Sequence, residues 1–385
     1  VIIRPPADLQ IERNPISSAT VAARRRNGAA SAPSGTGGRP SSLPQHFIVV
    51  SAAVRAQGLL RRARGFYLSV AVVLGVALLA AASGSVLLGK SWFQLLIAAA
   101  LGLIFTQIAF LAHEASHRQV LGSGPANDRL GRVLATLGVG MSYAWWMNKH
   151  TRHHANPNKV GKDPDIEVDT ISFLPEDAAK RRGLMAVFTR RQGWLFFPLL
   201  TLEGLNLHYR SFAALASGTP VKGRWTEIAL IVARFALYLG LLFGLLPLGM
   251  AFAFLGVQMA VFGVYMGASF APNHKGMPVI PRDAKLDFFS KQVRTSRNIS
   301  GGWWASALMG GLNYQVEHHL FPNMARPHLA AARRIVRDHC RSAGVPYTET
   351  SLLRSYGIVI AHLNRVGLAA RDPFVCPLMA SLRRS

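Results

Sequence analysis

Apolar residues are spread very unevenly along this chain. Four almost uninterrupted apolar stretches, at about residues 66–88, 92–112, 228–248 and 250–270, stand among segments dense in Arg, Lys, Asp and Asn. Each is about 20 residues long, or ~30 Å as a helix, which matches the hydrocarbon core of a bilayer. They form two close pairs, joined by Gly89-Lys90-Ser91 and by Pro247-Leu248-Gly249. The pattern predicts an all-α integral membrane protein with four transmembrane helices in two hairpins. A fifth stretch, Leu130 to Met147, is less apolar and contains Arg132, Gly138 and Gly140. A full crossing there would put its polar flanks on opposite sides, so it is predicted to be a re-entrant or interfacial helix.

The remaining segments are polar. Residues 1–45 are rich in Ser, Ala, Gly, Pro and Arg without hydrophobic period and predict a disordered basic tail; an organelle transit peptide has the same composition. Residues 46–345 form the predicted membrane domain and 346–385 a C-terminal cytoplasmic extension. Charged residues are only 16% of the 385, yet the net charge is +25. Such a charge fits nucleic acid, an anionic lipid surface or an acidic protein; the long apolar runs favour the last two. Lys90 is the one basic residue in the two hairpin turns, and nearly all other Arg and Lys lie before, between and after the hairpins. The positive-inside rule then places both termini and the central region in the cytoplasm. Arg234 falls inside the third stretch and is expected to snorkel towards its cytoplasmic end. Cys340 and Cys376 match no metal or disulfide spacing and are read as packing residues.

Three short motifs carry the chemistry. His113 and His117 are spaced i, i+4 at the end of the second apolar stretch. His150, His153 and His154 follow at i, i+3, i+4, and Gln315, His318 and His319 repeat that spacing with Gln in first place. On a helix such spacings put side chains on one face. Seven of the 13 histidines lie in these boxes, and the predicted topology sets all three on one side of the membrane. Seven imidazoles, with His274 and Gln315 nearby in type, exceed the four ligands that satisfy zinc, so two metal ions are the natural count. Imidazole suits iron, copper, nickel and zinc alike. His113-Glu114-Ala115-Ser116-His117 also fits the H-E-x-x-H of zinc proteases, with Glu114 as base, but that reading leaves the other two boxes unexplained. A membrane metal carrier predicts ionisable residues facing one another within the spans, where essentially only Arg234 is found.

The three boxes, with Phe270-Ala271-Pro272-Asn273-His274-Lys275-Gly276-Met277 and Asn313-Tyr314-Gln315-Val316-Glu317-His318-His319-Leu320-Phe321-Pro322, resemble the integral-membrane fatty acid desaturases over roughly residues 45–345. Gln at the head of the third box resembles the front-end or acyl-lipid branch. The resemblance implies a mushroom-shaped helical protein whose cytoplasmic cap holds two irons beneath an acyl tunnel. By position it makes His113, His117, His150, His153, His154, His318 and His319 iron ligands and His274 an additional one. Gln315 is either a weak ligand or a hydrogen-bond donor to one. It implies O2 as co-substrate and a fatty acyl substrate, on coenzyme A or a lipid. Some relatives carry a fused haem domain with His-Pro-Gly-Gly; that motif is not in this sequence, so a separate donor is expected, a ferredoxin or a cytochrome b-type protein. A lipid or carotenoid hydroxylase or ketolase shares the same boxes and is the nearest rival.

Other residues carry weaker signals. Asn156, Asp163 and Asp165 can orient ligand imidazoles or simply form a solvated turn. Trp145, Trp146, Trp303 and Trp304 fit an interfacial aromatic belt better than a lining of the acyl path or a shield for the irons. His208 is expected to pack or meet lipid, and His46, His328, His339 and His362 have no assigned role. Arg333, Arg334 and Arg337 are expected on the polar face of a helix against lipid headgroups.

Overall fold

A computed structural model of the chain describes residues 44–218 and 220–369. Most of the expected basic tail, the end of the C-terminal extension and Cys376 lie outside these residues. Among the described residues, four helices are long and apolar enough to cross a membrane: α2 (Arg64–Leu88), α3 (Gln94–Ser116), and two more, Arg224–Leu245 and Leu248–His274. These are the four expected spans, each shifted or extended by a few residues. A short amphipathic helix, α1 (Pro44–Ala56), precedes them.

The expected single helix over Leu130–Met147 is instead three pieces. Helix α4 (Gly124–Val133) runs into a wide π-helical turn at Leu134–Val139, and α5 (Tyr143–Ala155) starts afresh after a break. Gly140 makes that break with φ 97°, a conformation side chains resist. Ser142 then caps α5 by accepting from Trp145 N–H. Three short helices follow, α6 (Pro175–Ala179), α7 (Gly183–Arg190) and α8 (Gln192–Leu199), then the amphipathic α9 (Glu203–Ala216). The second hairpin is α10 (Arg224–Leu245) and α11 (Leu248–His274). Beyond it come α12 (Phe288–Thr295), β1 (Arg297–Ser300), α13 (Gly302–Leu308), α14 (Gln315–Leu320), α15 (Arg326–Ala343), β2 (Thr348–Ser351) and α16 (Leu352–Ala369). The all-α expectation gains one small addition: β1 and β2 pair in parallel from Arg297 opposite Thr348 to Ser300 opposite Ser351.

The spans are not equivalent. Half of α3 and a third of α11 are buried, against 11% of α2 and α10. The outer helices expose Leu68, Val72, Val76 and Leu79, or Val232, Leu237 and Leu241, faces suited to lipid. The inner two pack on each other because small residues let them: a Cβ on Gly102 would stand 2.8 Å from Val261 and 2.9 Å from the Gln258 carbonyl. Helix α3 ends in the first histidine box and α11 ends at His274.

Pro272 sits in the last turn of α11, where a missing N–H orphans the carbonyl four residues back. Tyr356 of α16 donates its hydroxyl to that Ala268 carbonyl at 2.9 Å, and Ser355 donates to the Pro272 carbonyl at 2.8 Å. Arg297, fully buried, also donates to the Pro272 carbonyl. Thus the chain after residue 345 is woven back against the end of α11, beside His274.

Arg234 does not snorkel. Its guanidinium lies over the rings of Phe105 and Tyr238, at 4.6 and 4.4 Å, because neighbouring aromatic faces offer the cation a nearer partner than the interface. Arg333 is likewise drawn inward from the expected lipid-facing row and pairs with Glu349 through two hydrogen bonds. Cys340 is buried in the core, as expected. His208 packs between helices, held by the Gly204 carbonyl at 2.7 Å. His46 and His339, given no role, meet at 3.0 Å where α1 touches α15.

Candidate metal centre

Eight imidazoles from four parts of the chain converge just past the ends of α3 and α11. They form two groups. Nitrogens of His113, His117, His150, His154 and His318 lie within 4.8 Å of one another, and so do those of His153, His274 and His319. The groups adjoin, since the His154 and His319 rings stack at 4.2 Å. The second and third boxes divide between them, whereas both histidines of the first box lie in the first group. Successive side chains on a helix are turned by about 100°, so His150 and His154 share one face while His153 points to the other group. His318 and His319 separate for the same reason.

The donor set fits metal ions. His117 Nε2 and His150 Nε2 face each other at 2.8 Å, as do His274 Nε2 and His319 Nε2 at 3.1 Å and His153 Nε2 and His274 Nε2 at 3.3 Å. Both ring nitrogens of His113 and of His154, and Nε2 of His318, are buried without a hydrogen-bond partner. Buried polar atoms left so are costly, and lone pairs aimed at a shared point are satisfied together by a cation. Burial, reinforced by neighbouring imidazoles, holds His150, His154, His318 and His319 well below the ordinary histidine range, and burial takes His117 down to about 3. The neutral ring is the form that binds metal.

The second group has its outer nitrogens tethered. His153 Nδ1 lies 3.0 Å from Asp163 Oδ1, His274 Nδ1 is 2.9 Å from the Thr295 carbonyl, and His319 Nδ1 is 2.9 Å from Gln292 Oε1. Such partners fix which nitrogen faces the metal and make the ring a stronger donor. Burial opposes charge on His153, but Asp165 and Asp163 outweigh it and raise its pKa. Of the three turn residues considered, Asp163 therefore orients an imidazole, that of His153. It also accepts from Asn158 N–H at 2.7 Å, whose side chain reaches the His274 carbonyl at 3.1 Å. Gln315 donates from Nε2 to His274 Nε2 at 2.9 Å and accepts from Asn273 at 3.2 Å, so it borders the second group.

The first group is held from behind. Glu114 turns away from the imidazoles and is gripped by Arg326 at 2.7 and 2.5 Å. This explains Glu114 without a protease: its carboxylate is consumed in a buried ion pair linking α3 to α15. Glu227 of α10, fully buried, accepts from Ser142 Oγ at 2.5 Å, Ala144 N–H at 3.1 Å and Arg132 Nε at 3.1 Å, anchoring the start of α5. Glu317 accepts from Asn298 at 2.7 Å and Tyr347 at 3.0 Å, and burial raises its pKa to about 7. Trp146 departs from the interfacial belt and stacks on His150 at 4.4 Å. With Phe270, edge-on to His113, it forms an apolar wall on this group. Sequence reasoning missed Gln292, Glu227 and Arg326, which belong to no motif.

Four helices long and apolar enough to cross a membrane, with two adjoining histidine clusters at their ends, are the features of a membrane protein with a site compatible with metal ions. The profile of the fatty acid desaturase family matches residues 90–351, and the chain belongs to that family of oxidoreductases. Among curated proteins it is similar to a Delta(8)-fatty-acid desaturase of Helianthus annuus, 29% identical with 74% of this chain and 65% of that protein covered. It is also similar to an acyl-lipid (9-3)-desaturase of Physcomitrium patens, 28% identical over 80% of this chain and 60% of that protein. A Delta(6)-fatty-acid desaturase of Caenorhabditis elegans is 26% identical, with 69% and 63% covered. These names agree with the branch to which Gln315 points. The chain spans about two thirds of the length of the curated relatives it matches.

Proposed function

We propose that this protein desaturates a fatty acyl chain, carried on coenzyme A or a lipid, at two irons. One is held by His113, His117, His150, His154 and His318, the other by His153, His274 and His319 with Gln315 alongside. The observation that carries this reading is the convergence of eight imidazoles, most of them buried and several without other partners, into two adjoining groups. An unactivated methylene has no acidity for a side-chain base to exploit; iron and O2 supply the hydrogen-abstracting power. The balance is –CH2–CH2– + O2 + 2e⁻ + 2H⁺ → –CH=CH– + 2H2O, so two electrons come from an outside carrier, a ferredoxin or cytochrome b-type protein. The protein's own residues hold most of the rings neutral, aim them, and keep the acyl chain on the apolar side beside Trp146 and Phe270. The distribution of Arg and Lys supports a cytoplasmic position for the centre and both termini.

Expression in a host with a suitable reductase, followed by mass spectrometry of double-bond positions, tests the proposal. It predicts one regiospecific new double bond, lost in His153→Ala and in His318→Ala. Hydroxylated products without new unsaturation would transfer the site to the hydroxylase class.

A further inference from the structure

The loop after α5 and the segment before α12 are joined into one surface. Val160 N–H donates to the Ile280 carbonyl at 3.0 Å, and Lys159 Nζ donates to the Ala284 carbonyl at 2.8 Å. This brings together Lys159, Lys162, Arg282, Lys285 and Lys291, against which stand Asp283 and Asp287; the loop's other acids are engaged elsewhere, Asp163 with His153, Asp165 with Lys149, Glu167 with Arg152 and Asp169 with Arg210. The ammonium groups are close enough to repel: burial first, then Lys159 and Lys162, lower the Lys291 pKa, opposed by Asp287. Among the basic residues, Leu286 and Phe288 expose about two fifths of their surface, an apolar centre inside a positive rim.

What lies beneath distinguishes this patch from other basic surface. Lys291 Nζ donates to the Ala155 carbonyl at 2.6 Å, one residue after His154. The next residue, Gln292, donates to the His154 carbonyl at 2.9 Å and meets the His319 ring at 2.9 Å. Residues 291 and 292 thus connect the patch by hydrogen bonds to both imidazole groups. Electron transfer weakens steeply with distance, so a carrier gains from docking here. A patch serving only to hold lipid headgroups gains nothing from lying against the metal centre.

We infer that Lys159, Lys162, Arg282, Lys285 and Lys291, around Leu286 and Phe288, form the docking surface for an acidic electron-carrier protein, which delivers electrons through the Gln292 contact to the histidine cluster. The inference rests on the function proposed above. Complementary charge there acts mainly on the rate of encounter and is screened by salt.

The test uses the iron-loaded full chain in nanodiscs, with reduced [2Fe–2S] ferredoxin in one arm and the reduced soluble haem domain of cytochrome b5 in the other. Carrier oxidation under O2 is followed by stopped flow, and carrier binding by surface plasmon resonance. Lys162→Glu/Lys285→Glu, both at exposed positions, is expected to slow the second-order reaction about tenfold or more at low salt with at least one carrier. The difference should close at high salt, and Lys162→Arg/Lys285→Arg should behave as wild type. Iron content and reduction by dithionite should not change. Equal rates and equal binding for the Glu and Arg variants would overturn the inference. So would a defect confined to binding of phosphatidylserine vesicles, which would assign the patch to the membrane. Wild-type protein that retains no iron would instead remove the parent proposal, and this one with it.

Discussion

The two imidazole groups are built on opposite plans. In the second, each ring is tied directly: His153 to Asp163, His274 to the Thr295 carbonyl and His319 to Gln292. In the first, the ring nitrogens of His113 and His154 have no hydrogen-bond partner, while the helices beneath them are clamped by Glu114–Arg326 and Glu227–Ser142. One group is oriented through its rings and the other through its scaffold. The difference teaches that rings can be aimed one by one through their outer nitrogens, as in the second group, or together through the helices that carry them, as in the first.

Removing ligands should break the comparison most completely. His318→Ala and His319→Ala are each expected to abolish desaturation, but each should cost iron mainly at its own group. Metal analysis with Mössbauer spectroscopy checks this; identical loss of both irons in the two variants would erase the distinction. Next in size is Asp163→Ala, which should weaken metal binding about 10–100-fold by freeing His153. Competition with a chelator should show that loss at one metal position only.

The scaffold clamp has its own signature. Glu114→Ala leaves the Arg326 guanidinium buried and unpaired, and should destabilise the protein by about 3–5 kcal/mol. A thermal shift in detergent reads it, and the iron ligands themselves stay in place in whatever fraction remains folded. A zinc protease would require Glu114 at the metal; here the ion pair is what the residue is for.

The smallest effect is on pH. His117, His150, His154, His318 and His319 have folded pKa values lowered by burial from the ordinary histidine value of 6.5. Their contribution is present above that value, where folded and unfolded chains are both neutral. It is lost progressively as pH falls below about 6.5, because the unfolded chain takes up protons that the folded one refuses. Metal-stripped protein should therefore melt at lower temperature as pH drops from 7 to 5. A flat profile would mean that the rings are not held neutral.

Much of this was legible because it repeats locally. The four spans follow from unbroken apolar runs, and the boxes from i, i+3, i+4 spacing that any helix converts into a shared face. Assignment of each histidine to a group was not legible, since adjacent residues such as His153 and His154 diverge only once the helix is placed between two others. Gln292, Glu227 and Arg326 were hidden for another reason. Each acts across more than 25 positions of chain, from His319 to Gln292 or from Glu114 to Arg326, and no periodicity spans such a gap. Arg234 and Trp146 were misplaced because rules for isolated helices send both to the interface, whereas here neighbouring aromatic or imidazole rings offer them a closer partner.

Two adjacent metal ions held by imidazoles from separate parts of the chain are what the whole account depends on. Metal content and Mössbauer spectra of the full chain, purified in nanodiscs from cells grown with ⁵⁷Fe, measure this directly. The account predicts two irons per chain in nitrogen-rich, spin-coupled sites. Active protein carrying only zinc, or a single metal per chain, would contradict it.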